Sequence, residues 1–184
     1  MNDSSSKTRS RLTLLLVAVF FLGSFGVAAG LFFGGWKPEQ TRNFGEMFDP
    51  YPRLQDLALV RADGQAWRWQ PAERQWHIIV PAPADCGASC AELLDVLHRV
   101  WLSEGRHAER LRVLWFGELP VPAPQFSGLV PMAPSAELQA LLPDTARPDA
   151  LPVYLADPNG YLVLRYAPGF DPSHLRKDLG RLLK

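Results

Sequence analysis

The chain has 184 residues, 47% of them apolar, which suits one domain of ordinary size with a proper core plus appendages. Nineteen basic residues balance nineteen acidic ones, and with no basic stripe or nucleic-acid motif this excludes a nucleic-acid footprint. No G-x-S-x-G, H-E-x-x-H or P-loop occurs, so nothing supports hydrolytic or nucleotide chemistry.

In chain order, residues 1–11 (MNDSSSKTRSR) form a polar tail carrying Lys7, Arg9 and Arg11. Leu12 to Trp36 follow without a charge. At about 1.5 Å per residue such a helix exceeds the roughly 30 Å hydrocarbon core and spans it with some tilt. The basic tail places the N-terminus in the cytoplasm and everything from Lys37 across the membrane. A cleaved signal peptide is the competing reading, with Ala28 and Ala29 near a cleavage point. Its apolar region usually runs only about 7–15 residues, and here the run continues through Leu31, Phe32, Phe33 and Trp36. Residues 37–53 read as a tether and 54–184 as the exported domain.

Within that domain, residues 54–70 predict a hairpin with a turn at Asp63-Gly64, and Trp67 and Trp69 on one face. The apolar run around Ile78 to Val80 suits a buried central strand. After the cysteines, Leu93, Leu94, Leu97, Val100 and Trp101 share one face of a helix that Gly105 stops. Leu111 to Phe116 is a second strand, so strand, helix and strand make a parallel β-α-β unit. Residues 117–134 hold five prolines and read as a loop, because proline breaks helix interiors and central strands. Ser135 caps a short helix, and residues 151–169 form a hairpin turning at Asp157-Pro158-Asn159-Gly160. Asp171 with Pro172 starts a last helix whose stripe is Leu175, Leu179, Leu182 and Leu183.

The only two cysteines, Cys86 and Cys90, fall where the central strand passes into the first helix of the domain. A helix start offers unpaired N–H groups and the positive end of the macrodipole. A cysteine placed there is more acidic than the ordinary thiol, and its thiolate attacks disulfides or binds soft metals. Asp85 works the other way through its charge. On this reading Cys86 is the nucleophile and Cys90, one turn later, the resolving thiol. Two alternatives stand beside redox exchange: a Cu(I) clip made of Cys86, Cys90 and an unidentified third ligand, and a structural staple. A staple closing so few residues changes unfolded-chain entropy little. His77, His98, His107, His174 and Met132 are the other soft donors, each read as an ordinary packed or surface side chain. His77 alternates with Ile78 and so belongs to a different layer.

The order hairpin, β-α-β, α, β-β, α is that of the α/β thioredoxin-like fold, a central mixed sheet flanked by helices. Residues 57–183 resemble the Sco/SenC branch of that superfamily, membrane-anchored proteins of cytochrome c oxidase assembly. The C-x-x-x-C at Cys86 and Cys90, the hairpin VYLADPNGYLVLRY and the single N-terminal anchor carry the resemblance. It implies that Pro152 stands where a thioredoxin has its cis-proline and holds a partner's backbone beside the cysteines. The Sco pattern also has a histidine about five residues before the tyrosine of the hairpin. Counting back from Tyr154 gives Asp149, so the distal copper ligand is missing, and DCGASCA lacks the prolines that flank the Sco cysteines.

The expectation is thus a single-pass protein of the bacterial inner membrane with its C-terminal domain in the periplasm. Catalysis is assigned to Cys86, Cys90 and Pro152, as a thiol–disulfide oxidoreductase that requires no cofactor. By resemblance the client is a protein with cysteines, a cytochrome c oxidase subunit or a copper chaperone, and the role is assembly of the oxidase's copper sites. The rival expectations are a Sco-like Cu(I) chaperone, with Cys86 and Cys90 as metal ligands, and a non-catalytic factor using the fold as a docking platform.

Overall fold

The computed structural model describes residues 3–36, 42–85, 87–145 and 151–184. The chain divides into two compact units, Met1–Arg42 and Asn43–Lys184.

The first unit is one helix, α1 (Asp3–Phe33). Its segment Arg11–Phe33 is long and apolar enough to cross a membrane, and it is apolar on every side, with Phe20, Phe25 and Phe32 all exposed. No polar face exists to meet water, which is the pattern of a lipid-facing helix. The helix stops at Phe33 rather than running to Trp36. Gly35 takes φ +67, and Trp36 N–H donates to the Leu31 carbonyl at 3.1 Å. This is a Schellman-type stop, for which a residue without Cβ is favoured.

The second unit is built on a six-stranded mixed sheet in the order β1-β6-β5-β2-β3-β4. Its strands are β1 (Glu46–Met47), β2 (Trp76–Pro81), β3 (Leu111–Phe116), β4 (Leu129–Met132), β5 (Val153–Ala156) and β6 (Leu162–Tyr166). β2, β3 and β4 run parallel, whereas β5 is antiparallel to β2 and β6, and β1 to β6. The helices are α2 (Gly87–Ser103), α3 (Ala136–Leu141) and α4 (Pro172–Leu182).

Strand alternation divides the core in two. Ile78 and Val80 face a cluster containing Leu94, Leu97 and Val100 of α2 and Leu175 and Leu179 of α4. Ile79, between them, faces the opposite cluster with Leu54, Leu59, Leu114, Met132, Leu138 and Tyr154. Successive strand side chains point to opposite faces, so one apolar run serves both layers. Ser135 caps α3, its hydroxyl accepting from Leu138 N–H, and Asp171 caps α4 by accepting from Ser173 N–H. Both caps are those the sequence predicts.

Within the second unit three expectations change. The proline loop contains β4, with Pro131 inside it. β4 is an edge strand, where the missing N–H of proline is tolerated. The tether is shorter than 37–53, because Asn43–Arg53 belongs to the domain. Phe44 and Gly45 N–H both donate to Asp178 of α4, at 2.8 and 3.1 Å, and Glu46–Met47 pairs with β6. The hairpin at 54–70 is reduced to one bridge, Val60 to Ala66, flanked by Arg61 N–H to Gln65 O and Trp67 N–H to Leu59 O. The strands end there because the backbone of Ala62 turns to the sheet, its N–H donating to Pro131 O.

Candidate functional site

The site grows from the end of β2. Ala82 N–H donates to the Phe116 carbonyl, extending the β2–β3 pairing by one step, and residues 83–85 then leave the sheet toward α2. Cys90, in the first turn of α2, is 2% exposed and disulfide-bonded. It packs in the cluster of Leu94, Val80 and Val153. Cys86, the other cysteine of the sequence, lies outside the described residues, as does Asp149. Asp85 is exposed beside this turn.

Pro152 comes to the same end of the sheet, the end where β2 finishes and β5 begins. The β2–β5 register pairs Ile79 with Tyr154, and continued by two residues it sets Pro152 opposite Pro81. Pro152 is buried. Its peptide bond is not cis, however: the cis bonds among the described residues are Asp49–Pro50 and Val121–Pro122. The expected cis-proline is therefore corrected. That expectation came from the fold's usual pattern, and nothing local to ALPVYL demands it.

A groove of about 310 Å³ runs beside the first turns of α2, lined by Ser89, Glu92 and Leu93 on one side and Leu151, Gly169 and Phe170 on the other. Ser89 adjoins Cys90 and Leu151 adjoins Pro152, so an extended segment in the groove would pass both. Sequence reading missed Leu151 and Phe170 here. The signal available was the chain reversal at Pro168-Gly169, which brings the end of the β5–β6 hairpin back to α2.

The remaining soft donors do not join Cys90. Met132 belongs to the opposite core layer, where it is 1% exposed. His77 also faces that side, its ring 4.6 Å from Trp69 and 5.7 Å from Trp67. Burial pushes its pKa down to about 4, with the Asp157 backbone opposing and the Arg112 charge assisting. His98 stacks on Phe126 at 4.7 Å, His107 accepts from Arg106 Nε, and His174 stacks on Phe44 at 4.3 Å. Among the described residues no three His, Cys, Asp or Glu side chains gather as metal ligands. The segments 37–41 and 146–150 contribute KPEQT and ARPDA, with no histidine, cysteine or methionine. Among the described residues no third soft donor thus gathers with Cys90, and the thiolate pair is by itself a soft ligand set of the kind that Cu(I) favours.

The arrangement places a buried disulfide sulfur at the start of a helix, with a groove alongside and the chain segment at Pro152 crossing the same end of the sheet.

Comparison with known proteins agrees on the fold. Yeast Sco1, solved with copper bound, is 14% identical and superposes with a TM-score of 0.52, over 77% of this chain and 93% of that one. BsSco, a member of the Sco family of cytochrome c oxidase assembly proteins in which a disulfide switch was identified, is 12% identical with a TM-score of 0.51, over 79% and 97%. The T. cruzi protein GPX1 is 17% identical with a TM-score of 0.51, over 72% and 97%. At these identities the likeness is one of fold, shared by Sco proteins and a protein outside that family. No curated protein matches the sequence. The family model described as transmembrane-like, thioredoxin-like, C-terminal domain matches residues 76–184, more than half of the chain. The chain belongs to that family, and its second unit has the thioredoxin-like fold.

Proposed function

We propose that the protein is a membrane-anchored thiol–disulfide exchange protein working through Cys86 and Cys90. The observation that carries this reading is the disulfide-bonded Cys90, buried in the first turn of α2 at the end of the sheet where Pro152 also lies. Because Cys90 is packed among core residues, a client sulfur approaches the pair at Cys86. In the reducing direction the Cys86 thiolate attacks one sulfur of a client disulfide, forming a mixed disulfide and releasing one client thiolate. Cys90 then attacks the Cys86 sulfur, closing the Cys86–Cys90 disulfide and releasing the second client thiol. Two electrons pass to the client, and a dithiol reductant restores the pair. In the oxidising direction the same steps run backward. Pro152 lines the approach without supplying a reacting atom.

The finer reading follows from the Sco likeness and the charge pattern of the N-terminus. The anchor sits in a bacterial inner membrane with residues 1–11 in the cytoplasm and the domain in the periplasm. Its clients are cysteines of a cytochrome c oxidase copper site, kept reduced so that they bind metal, and the groove at Leu93, Leu151 and Phe170 receives the segment that bears them.

The test is trapping in the full chain. Cys90→Ser should accumulate a mixed disulfide between Cys86 and a client, resolved by reductant on a gel, while Cys86→Ser should accumulate none. Equal adducts in both variants, or none in Cys90→Ser, would sink the exchange reading. Mass spectrometry of the trapped partner decides whether an oxidase subunit is the client.

A further inference from the structure

Among the described residues of the second unit, seven large apolar side chains are exposed, and three of them, Phe44, Met47 and Tyr51, fall within its first nine residues. The other four, Val60, Leu102, Val121 and Leu141, stand singly on separate parts of the chain. Single exposed apolar residues are normal on a protein surface, whereas a concentration of them marks a contact.

The three share one border of the sheet. Glu46–Met47 pairs with β6, Phe48 N–H donates to Val163 O and Leu162 N–H to Pro52 O, and Arg53 bridges Tyr161. Residues 46–53 therefore run along the outer side of β6. Phe44, just before them, is held on α4 by Asp178. Its ring stacks on His174, with Lys177 Nζ 5.1 Å and Arg181 Cζ 5.7 Å from its centre. The exposed charged side chains of α4 are Arg176, Lys177 and Arg181, all basic, while its one acid, Asp178, is buried. Along the border Glu46 is paired with Arg165 at 2.6 Å and Asp56 lies 3.8 Å from Arg53, which leaves basic charge in excess where the border meets α4.

Aromatic and long apolar side chains beside Lys and Arg suit a phospholipid headgroup layer, where the apolar groups enter the interface and the cations meet phosphates. The place in the chain agrees. Asn43 follows Trp36, the last residue of the uncharged run, by seven positions, and seven residues reach at most about 25 Å when fully extended. A surface on so short a tether meets its target at high effective concentration, so weak contacts suffice.

We infer that the β1 border of the thioredoxin-like domain docks on the surface of an anionic phospholipid bilayer, through Phe44, Met47, Tyr51 and the basic side chains of α4. Docking of this kind needs the α1 anchor and is independent of the exchange chemistry at Cys90.

The test is electron paramagnetic resonance on the full chain in lipid nanodiscs. The chain has two cysteines and Cys90 is disulfide-bonded, so without reductant a nitroxide goes to an added thiol. Met47→Cys and Tyr51→Cys place it on the border, and Val121→Cys, at a side chain 96% exposed, supplies the reference. In discs of mixed phosphatidylglycerol and phosphatidylcholine, both border labels should be accessible to oxygen and shielded from a water-soluble nickel chelate, while the reference stays open to nickel. Adding Lys177→Gln should lower the docked-to-free ratio about fivefold, the worth of one basic side chain near an anionic surface. Border labels as open to nickel as the reference, or docking that Lys177→Gln leaves unchanged, would overturn the inference. Equal shielding in discs of phosphatidylcholine alone would overturn the anionic assignment. Spin–spin broadening between border labels would overturn the lipid as occupant and put a second copy of the chain there.

Discussion

The two faces of the sheet are covered by different kinds of chain. One face carries α2 and α4, two helices whose leucines repeat at helical spacing and pack on Ile78, Val80 and Val113. The other is covered by a 3₁₀ turn at Leu54–Asp56, the short α3 and the Trp67–Trp69 segment. The helical face holds Cys90 and is otherwise apolar at its centre. The irregular face holds His77 and the indoles of Trp67 and Trp69. Regular elements satisfy their own backbone groups and leave little polar residue inside, whereas irregular cover brings polar side chains down to the sheet, where each needs a partner.

The largest effect expected from breaking this contrast is at the margin of the helical face. Asp178 of α4 is 2% exposed and accepts from Phe44 N–H, Gly45 N–H and Tyr166 OH. Burial and this carboxylate push the Tyr166 hydroxyl far above the ordinary phenol range. Asp178→Ala strands three donors and should cost about 4 kcal/mol, with each buried orphan worth about 1–3 kcal/mol. Denaturant unfolding of the full chain in detergent measures it. A loss under about 1 kcal/mol would mean that segment 43–45 is not held by this residue.

On the irregular face the test is pH. His77 titrates near 4 in the folded chain, against 6.5 for the ordinary side chain. Between those values the unfolded chain takes up a proton that the folded chain refuses. Stability is therefore complete above about pH 6.5 and falls as pH drops toward 4, by about 3 kcal/mol over the window. His77→Gln should flatten that part of the stability–pH curve. An unchanged slope in the variant would show that other groups produce it.

The smallest effect separates cap from cover. Ser135→Ala removes the side-chain bond to Leu138 N–H and should lower stability by about 1 kcal/mol. Because α3 is only six residues long, hydrogen exchange should speed in α3 and not in α2. Equal changes in both helices would mean that the two faces unfold as one.

The same contrast explains what the sequence made legible. β2, α2 and β3 can be read because apolar residues recur at strand and helix spacing, and the β5–β6 turn because Asp157 and Gly160 fix it. Asp157 accepts from Tyr161 N–H, and Gly160, at φ +78, sits where any Cβ would meet the Trp69 ring at 2.9 Å. β4 was hidden by Pro131, since a proline inside a short run argues against a strand and only the edge position permits it. β1 has two residues and no pattern to detect. At the site, the cysteine spacing and the strand-to-helix placement were readable. The peptide geometry of Pro152 was not, because it came from the fold's habit and not from local chemistry. Alternation with Ile78 gave His77 its layer, but its enclosure depends on a tertiary packing of Trp67 and Trp69 that no local spacing encodes.

The central claim is that the disulfide at Cys90 is exchanged in use rather than built to persist. The most direct measurement is the reduction potential of the cysteine pair in the full chain, equilibrated in detergent with graded thiol buffers. A value between about −120 and −270 mV, among exchange proteins, is the result this account predicts. A value below about −300 mV would mark a permanent structural bond, and the thioredoxin-like domain would then serve as a docking platform without redox chemistry.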